Sequence, residues 1–582
     1  MTDPFAVTLG SKLLSRLVNR AVGLDVISRA YRARPAGLDA PGFLAYVLST
    51  LGVSMQLNNG DNLQAIPREG PLLIVANHPL GGLEGVALAS LVAAIRPDLK
   101  VLTNELLCRI PEFAGMFIGV DVLSRQAAAK NVRGVKRVHA HLKQGGALLI
   151  FPAGLVATYE MKHRAIVDRP WDRLVGQLVR RHRCACLPVH VGGRNSAYFY
   201  AAGFIHRRLR TAFLPRQLLN KQGYRLPLTF GSLIPYQELA AMDNPRTVTE
   251  YLRINTEALG RQETGGHRQR QQQALADLPA DQTREQLQQS IGTLSDCRLV
   301  EHRDFDVYCA PYDRLGALMG QLAIARELTF RTVGEGTGHA ADSDRYDPSY
   351  LHLFLWDRAA CRVAGAYRIG LVDQIVAEQG VKGLYTRSLY RYNQAFIRQL
   401  GSAIEMGRSF IHPDYQRRPV ALNLLWRGIG EFLNRHPQYH TLFGSVDISR
   451  DYTDLARALI ADTLLTNYQA DDFQALVRPT RPQRIRHRLW TRETLSALAN
   501  IKTLSKLIGR CDPGKAVPVL LRHYLALNGR LVCFNVDPNR SDTLGGLIIV
   551  DLRQCDSKTA IRFMGEAGYN RFLEIHSLSK SA

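Results

Sequence analysis

No stretch of this 582-residue chain stays apolar for the roughly 20 residues that a membrane-crossing helix needs. The longest apolar runs, Val86–Ile95 and Gly146–Ala157, stop well short of that length. No CxxC pair occurs, and the nine cysteines stand singly apart from Cys184 and Cys186. That pattern argues against a paired-cysteine metal site and a disulfide framework, and it suits reduced thiols. No apolar core follows the N-terminus as in a secretory signal, so a cytoplasmic location is expected. Acidic residues are scarce: 51 Asp and Glu against 74 Lys and Arg leave a formal charge of +23. Such a balance favours acidic partners, whether nucleic acid, anionic lipid or an acidic carrier protein. No internal repeat is visible.

Nucleic acid is the weakest of those partners. One basic cluster, Arg478, Arg481, Arg484, Arg486, Arg488 and Arg492, surrounds Leu489 and Trp490. A second, His206, Arg207, Arg208 and Arg210, adjoins Phe204 and Ile205. No helix-turn-helix, zinc-finger, RRM or KH signature accompanies either one. They fit an anionic membrane surface better, with a plain solvated or intramolecular face as the alternative. Leu9, Leu13, Leu14, Leu17, Val18 and Ala21 repeat at helical spacing beside Lys12, Arg16 and Arg20. This predicts a helix lying at the membrane interface or packed on its own domain.

With 46% hydrophobic and 21% charged residues, the chain folds, and it is too long for one core. PLLIVA (71–76), ALLIF (147–151) and CLPVHV (186–191) read as buried strands, each followed by a Gly- or Pro-bearing turn. Helical stretches alternate with them, which predicts an α/β domain with a largely parallel sheet. Residues 261–290 are Gln-rich and poor in large apolar side chains, as in a linker. The expected organisation is an amphipathic segment (1–40), an α/β domain (41–260), a linker (261–292) and a second, α+β domain (293–582).

Two constellations carry chemistry. The first is the turn Asn77-His78-Pro79-Leu80-Gly81-Gly82-Leu83-Glu84, directly after a buried strand. A histidine there, with a carboxylate at the following helix entry, has the parts of a general-base pair acting on a hydroxyl. Two glycines allow positive φ or close approach of substrate. Ser124-Arg125, Phe151-Pro152-Ala153-Gly154 and Leu187-Pro188-Val189 follow in order.

This ordered set resembles the glycerolipid (lysophosphatidic-acid) acyltransferase family over about residues 60–260, and its hemolysin-like branch in particular. The resemblance implies acyl transfer from a thioester to a hydroxyl. His78 would be the base and Glu84 its orienter, with amides near the Gly154 turn as an oxyanion site. Asn77, Gly81, Gly82, Ser124, Arg125, Pro152 and Gly154 would contact substrate. The chain departs from the family pattern at Glu84, where Asp is usual, and at Ala153 and Leu155, where the wider family has Glu and Thr. An acceptor without a glycerol phosphate fits that loss.

The second constellation is Arg326-Glu327, then Asp344 and Asp347, then Arg368, then Glu405-Met406-Gly407-Arg408. Fixed charges of both signs in one cleft suit a zwitterionic acceptor. The set resembles the ornithine-lipid and autoinducer-synthase branch of the GNAT fold, over about residues 300–475. Glu405 would then be catalytic, and Arg326, Glu327, Asp344, Asp347, Arg368 and Arg408 would bind substrate. Gln416 and Arg417 fall where GNAT proteins hold the donor's pyrophosphate, but Pro419 replaces the first glycine and removes an amide. The resemblance therefore implies an acyl carrier protein thioester as donor, with no bound cofactor and no metal.

Together the halves resemble bifunctional ornithine-lipid synthases. That implies N-acylation of ornithine with a 3-hydroxyacyl chain, then O-acylation of its hydroxyl, at the inner face of the cytoplasmic membrane. Two alternatives stay open. The C-terminal half alone could make an acylated signal while the N-terminal half docks, or the protein could be a non-enzymatic hemolysin-like membrane protein.

Overall fold

The computed structural model describes residues 18–121, 127–161, 164–262, 275–416, 419–483 and 490–578. Ser124, Arg125, Arg417, most of the amphipathic segment and Arg484, Arg486, Arg488 and Leu489 lie outside them, as do the side chains of Arg207 and Arg208. The chain divides into two compact units. One comprises Met1–Gly266 with Arg486–Asn500, the other His267–Ile485 with Ile501–Ala582.

The first unit is built on a seven-stranded sheet. Its strands are β1 (Ser54–Asn58), β2 (Leu72–Ala76), β3 (Lys100–Asn104), β4 (Phe117–Val120), β5 (Ala147–Ile150), β6 (Ala185–Val191) and β7 (Arg225–Phe230), in the order β1-β7-β6-β2-β5-β3-β4. Every neighbouring pair is parallel except β6 with β7. The unbroken apolar run of β2 follows from this, because all five of its residues are buried. β2 lies between β5 and β6, and the chain winds outward to either side of it. The crevice beyond its C-terminal end is where such sheets place ligands. The turn holding His78 leaves that end and enters helix α1 (Gly82–Ala93).

Helix α2 (Pro245–Gln262) also belongs to this unit. Gly176, on the neighbouring helix Leu174–His182, is needed for their approach: a Cβ there would lie 1.9 Å from the Pro245 carbonyl oxygen. The other face of α2 receives residues 490–500. Thr494 Oγ1 donates to Glu250 Oε2 (2.8 Å, buried), and the Arg261 guanidinium sits 4.2 Å above the Trp490 ring. Reading 293–582 as one continuous domain did not separate this segment.

The second unit has an eight-stranded mixed sheet. Its strands are β8 (Arg298–His302), β9 (Phe305–Pro311), β10 (Leu351–Asp357), β11 (Arg362–Leu371), β12 (Ala403–Ile411), β13 (Thr441–Ile448), β14 (Arg530–Asp537) and β15 (Thr543–Asp551). Their order is β8-β9-β10-β11-β12-β13-β15-β14. All pairs are antiparallel except β12 with β13, which meet only over Ala403–Glu405 against Thr441–Phe443. Beyond those three residues the two strands part. Helices α3 (Ala317–Thr332) and α4 (Pro419–Arg435) complete the frame around the parting strands. Among the described residues no helix is long and apolar enough to cross a membrane, and none of the nine cysteines forms a disulfide.

Candidate active sites

In the first unit His78 is fixed before any substrate arrives. Its N–H donates to Asp168 Oδ1 (3.1 Å), and its carbonyl accepts from the Ala157 N–H (2.8 Å). Phe151 packs on the imidazole with ring centroids 4.7 Å apart. His78 Nδ1 lies 3.0 Å from Glu84 Oε1, although the ring is turned off the line of a straight hydrogen bond. Such loose alignment is common in catalytic pairs without substrate. Glu84 is fully buried, and its Oε1 also accepts from the Leu80 and Gly81 N–H groups (2.9 and 2.8 Å). The longer glutamate thus reaches back from the first turn of α1 to cap its own helix, which explains how Glu serves where Asp is usual. With Glu84 at Nδ1, the other imidazole nitrogen, Nε2, is the one placed to take a proton from a hydroxyl.

The other expected residues of this unit have several fates. Asn77 pins the turn to the sheet: its Nδ2 donates to the Val191 carbonyl (2.9 Å) and its Oδ1 accepts the Val191 N–H (2.7 Å). With both ends engaged by backbone, it holds the site rather than contacting substrate. Gly81 has φ +116°, and a Cβ there would come 2.9 Å from Leu214, so glycine is required. Gly82 has open space around it and no such need. Pro152 accepts the Asp172 N–H through its carbonyl (3.1 Å). Gly154 turns with φ +67°, but its own N–H already donates to the Phe151 carbonyl (2.9 Å). The oxyanion role expected near that turn cannot fall to the Gly154 amide.

Sequence reasoning missed three supports. Asn195 Nδ2 donates to the Leu80 carbonyl (3.0 Å), clasping the His78 turn from the loop after β6. Lys221 Nζ donates to the Arg194 carbonyl (2.6 Å). Burial pulls the Lys221 ammonium down, while the Glu84 charge pushes it back up. Asp168 is pushed up by burial against the His78 amide. None belongs to a local motif, so spacing could not reveal them.

In the second unit the charged residues expected from sequence do converge. Arg368 Nη1 donates to Asp344 Oδ1 (2.6 Å) and Asp347 Oδ1 (3.0 Å), and Arg408 Nη2 donates to Asp344 Oδ2 (2.8 Å). Arg326 Nη1 donates to Asp347 Oδ1 (3.2 Å). Burial alone would raise the Asp344 carboxyl, but Arg368 and Arg408 outweigh it and hold the group well below the usual carboxylate range. A bulge aims Arg408 into this cluster: its φ is +48°, and the pairing with β11 slips between Ala366↔Phe410 and Arg368↔Gly407. Bulges beside active sites commonly re-aim a side chain in this way.

Glu405 requires a correction. It is buried, and it accepts from Tyr350 Oη, the Tyr385 N–H (3.1 Å) and the Thr386 N–H (2.6 Å). Both oxygens are engaged, so the geometry gives Glu405 the positioning of the 385–386 turn rather than catalysis. Glu327 is likewise occupied, accepting from Arg331, Thr337 and Gly338. Gln416 is exposed and donates to the Ile411 carbonyl (3.1 Å). Among the described residues no cluster of His, Cys, Asp and Glu is arranged to hold a metal ion.

A second group of acids borders the cleft. Burial, reinforced by Asp447, pushes the Glu335 carboxyl up to about 8, and burial also raises Asp447. The fold therefore prefers Glu335 neutral. Its stabilising contribution is complete below the ordinary glutamate range and is lost as pH rises through about 8. The melting temperature of the second unit should fall between pH 5 and pH 8, and Glu335→Gln should flatten that fall. A melt series in which wild type and variant decline in parallel would remove Glu335 as the cause.

Comparison with known proteins agrees with this division. A family model described as "Acyltransferase" matches residues 13–264, and one described as "Acetyltransferase (GNAT) domain" matches residues 325–427. A glycine N(alpha)-acyltransferase of Phocaeicola vulgatus is 26% identical over 278 residues, 46% of this chain and 85% of that protein. One from Bacteroides thetaiotaomicron is 28% identical over 271 residues, 44% of this chain and 80% of its own length. A lyso-glycine lipid O-acyltransferase of the same organism is 28% identical over 218 residues, 36% of this chain and 77% of that protein.

Proposed function

We propose that this chain, which is an acyltransferase, builds a doubly acylated amino-acid lipid by two transfers on one polypeptide. The observation that carries the reading is the His78–Glu84 pair, 3.0 Å apart at the end of β2, in a chain whose other unit gathers arginines and aspartates in a GNAT-like cleft. In the second unit the amine of the acceptor attacks a 3-hydroxyacyl thioester, and an amide forms as the thiol leaves. In the first unit His78 Nε2 takes the proton of the exposed 3-hydroxyl. The oxygen attacks a second thioester carbonyl, and the departing thiolate receives a proton.

Ornithine is the acceptor we assign. Glu335, whose carboxyl is raised by burial beside Asp447, borders the cleft, and a second ammonium group next to it would favour its ionised form. Glycine is the rival, favoured by the names of the relatives at 26–28% identity. The donor we assign is an acyl carrier protein. Pro419 opens α4 without an amide N–H for a CoA pyrophosphate, and the charge of +23 suits an acidic carrier. Docking to an anionic membrane surface is supported by the exposed Phe204, Ile205 and Leu209, beside the basic stretch at 206–210.

Purified protein offered ornithine or glycine, each with 3-hydroxyacyl carrier protein or 3-hydroxyacyl-CoA, tests these assignments together. Ornithine with the carrier thioester should react at least about tenfold faster than any other pair. Equal rates from the two thioesters remove the carrier assignment, faster glycine transfer reassigns the acceptor, and no N-acylation in any arm ends the reading of the second unit.

A further inference from the structure

Arg540 lies far along the chain from the charged residues picked out by sequence, yet it closes the same cleft. It follows β14, in the turn before β15, and is 6% exposed. Two left-handed residues come next, Ser541 (φ +54°) and Asp542 (φ +56°), and Arg457 Nη2 holds the Asp542 carbonyl at 2.6 Å. The guanidinium is fixed from one side: Nη1 donates to Asp447 Oδ2 (3.1 Å), and its carbon sits 4.3 Å above the Phe330 ring. Its Nε and Nη2 are buried and have no hydrogen-bond partner.

Arg408 is in the same condition. Its Nη2 is held by Asp344, its guanidinium lies 4.9 Å above the Tyr385 ring, and its Nε and Nη1 are buried without a partner. The two guanidiniums are close enough to feel each other's charge, and both act on Tyr385. Leaving one buried N–H unpartnered costs about 1–3 kcal/mol, and more for a charged group. Four such nitrogens on two like-charged side chains would be a heavy penalty for a merely structural purpose. They match a carboxylate, which is planar and offers about four lone-pair sites on two oxygens.

We propose that Arg540 and Arg408 clamp the α-carboxylate of the acceptor amino acid, with Asp447 holding Arg540 in position. This rests on the reading of the second unit as an amino-acid N-acyltransferase. It adds that the enzyme selects free amino acids over amines and amides, and that Arg540, beyond the GNAT-matched stretch, shares in setting this choice with Arg408 inside it. Asp344, between Arg368 and Arg408, fixes the cleft's charged wall. Arg368 Nε and Nη2 are also buried without a partner, but Arg368 holds the opposite oxygen of Asp344 from Arg408, the one in charge contact with Arg540.

The test compares ornithine with ornithinamide, which keeps both amines and replaces the carboxylate by a neutral amide. Wild-type protein should strongly prefer ornithine. Arg540→Ala should raise the KM for ornithine on the order of 100-fold, as expected for losing one partner of a buried charged contact, with kcat changed less than about threefold. Its slow turnover of ornithinamide should match that of wild type. Arg540→Lys should recover part of the loss. Asp447→Asn, which keeps the guanidinium but loosens it, should raise KM by a smaller factor.

Equal losses on ornithine and ornithinamide would mean that Arg540 is structural, and an unchanged KM for ornithine would remove it from the site. Either result overturns the clamp alone. Failure of the wild-type protein to N-acylate any amino acid would instead overturn the reading on which it rests.

Discussion

Replacing His78 by alanine should leave cells or reactions with a mono-acylated amino-acid lipid carrying a free 3-hydroxyl. The imidazole is the group placed to take the hydroxyl proton, wedged by Phe151 and pinned through its own backbone. Losing a general base costs about 10²–10⁴-fold in rate, and at the upper end for a base acting with a partner. The partners of His78, namely Asp168, Glu84 and Phe151, all belong to the first unit, so the N-acylated intermediate should still form and accumulate. Glu84→Gln should be milder in kind, because it keeps the side-chain length but removes the charge that steadies the imidazolium. Lipid extracts analysed by mass spectrometry read both results. Diacylated product at the wild-type level in His78→Ala would mean that the first site is misassigned.

Arg408→Ala should abolish both products, because the second transfer has no acceptor until the first has occurred. The change removes half of the proposed clamp and also strips Asp344 of one of its two guanidiniums. Breaking a buried pair in this way costs about 3–5 kcal/mol, so a melting curve must accompany the assay. Arg408→Lys keeps a charge but not the forked donor pattern, and should fold while losing most of the N-acylation. Supplying the mono-acylated lipid to either variant should restore diacylated product through His78. Diacylated lipid made by Arg408→Ala without that supplement would dissociate the cleft from the reaction.

Much of this arrangement was legible along the chain, for a physical reason. β2, β5 and β6 are buried on both faces, so they read as unbroken apolar runs, and the turns that follow them carry the chemistry. The His78–Glu84 pair is local, spanning one turn and the start of one helix. The arginines and aspartates of the second unit were legible as an ordered set, and they do converge. Sequence could not rank them. Glu405 and Glu327 look as reactive on paper as Asp344, and only the fold shows that backbone amides and hydroxyls occupy their oxygens. Arg540 had no signal, because its meaning depends on β15 lying beside β13. The start of the segment at 490–500 reads instead as part of a basic, membrane-facing cluster, because the partner that buries it, Glu250, is more than two hundred positions away.

That segment has a consequence for how such a protein can be taken apart or assembled in evolution. In Bacteroides thetaiotaomicron the two activities named among the relatives sit on separate proteins. Here Trp490 and Thr494, downstream of the GNAT-matched stretch, complete the helix face of the unit that carries His78. No single cleavage frees either unit whole, and a nick in the Gln-rich stretch leaves one fragment holding a piece that the other needs.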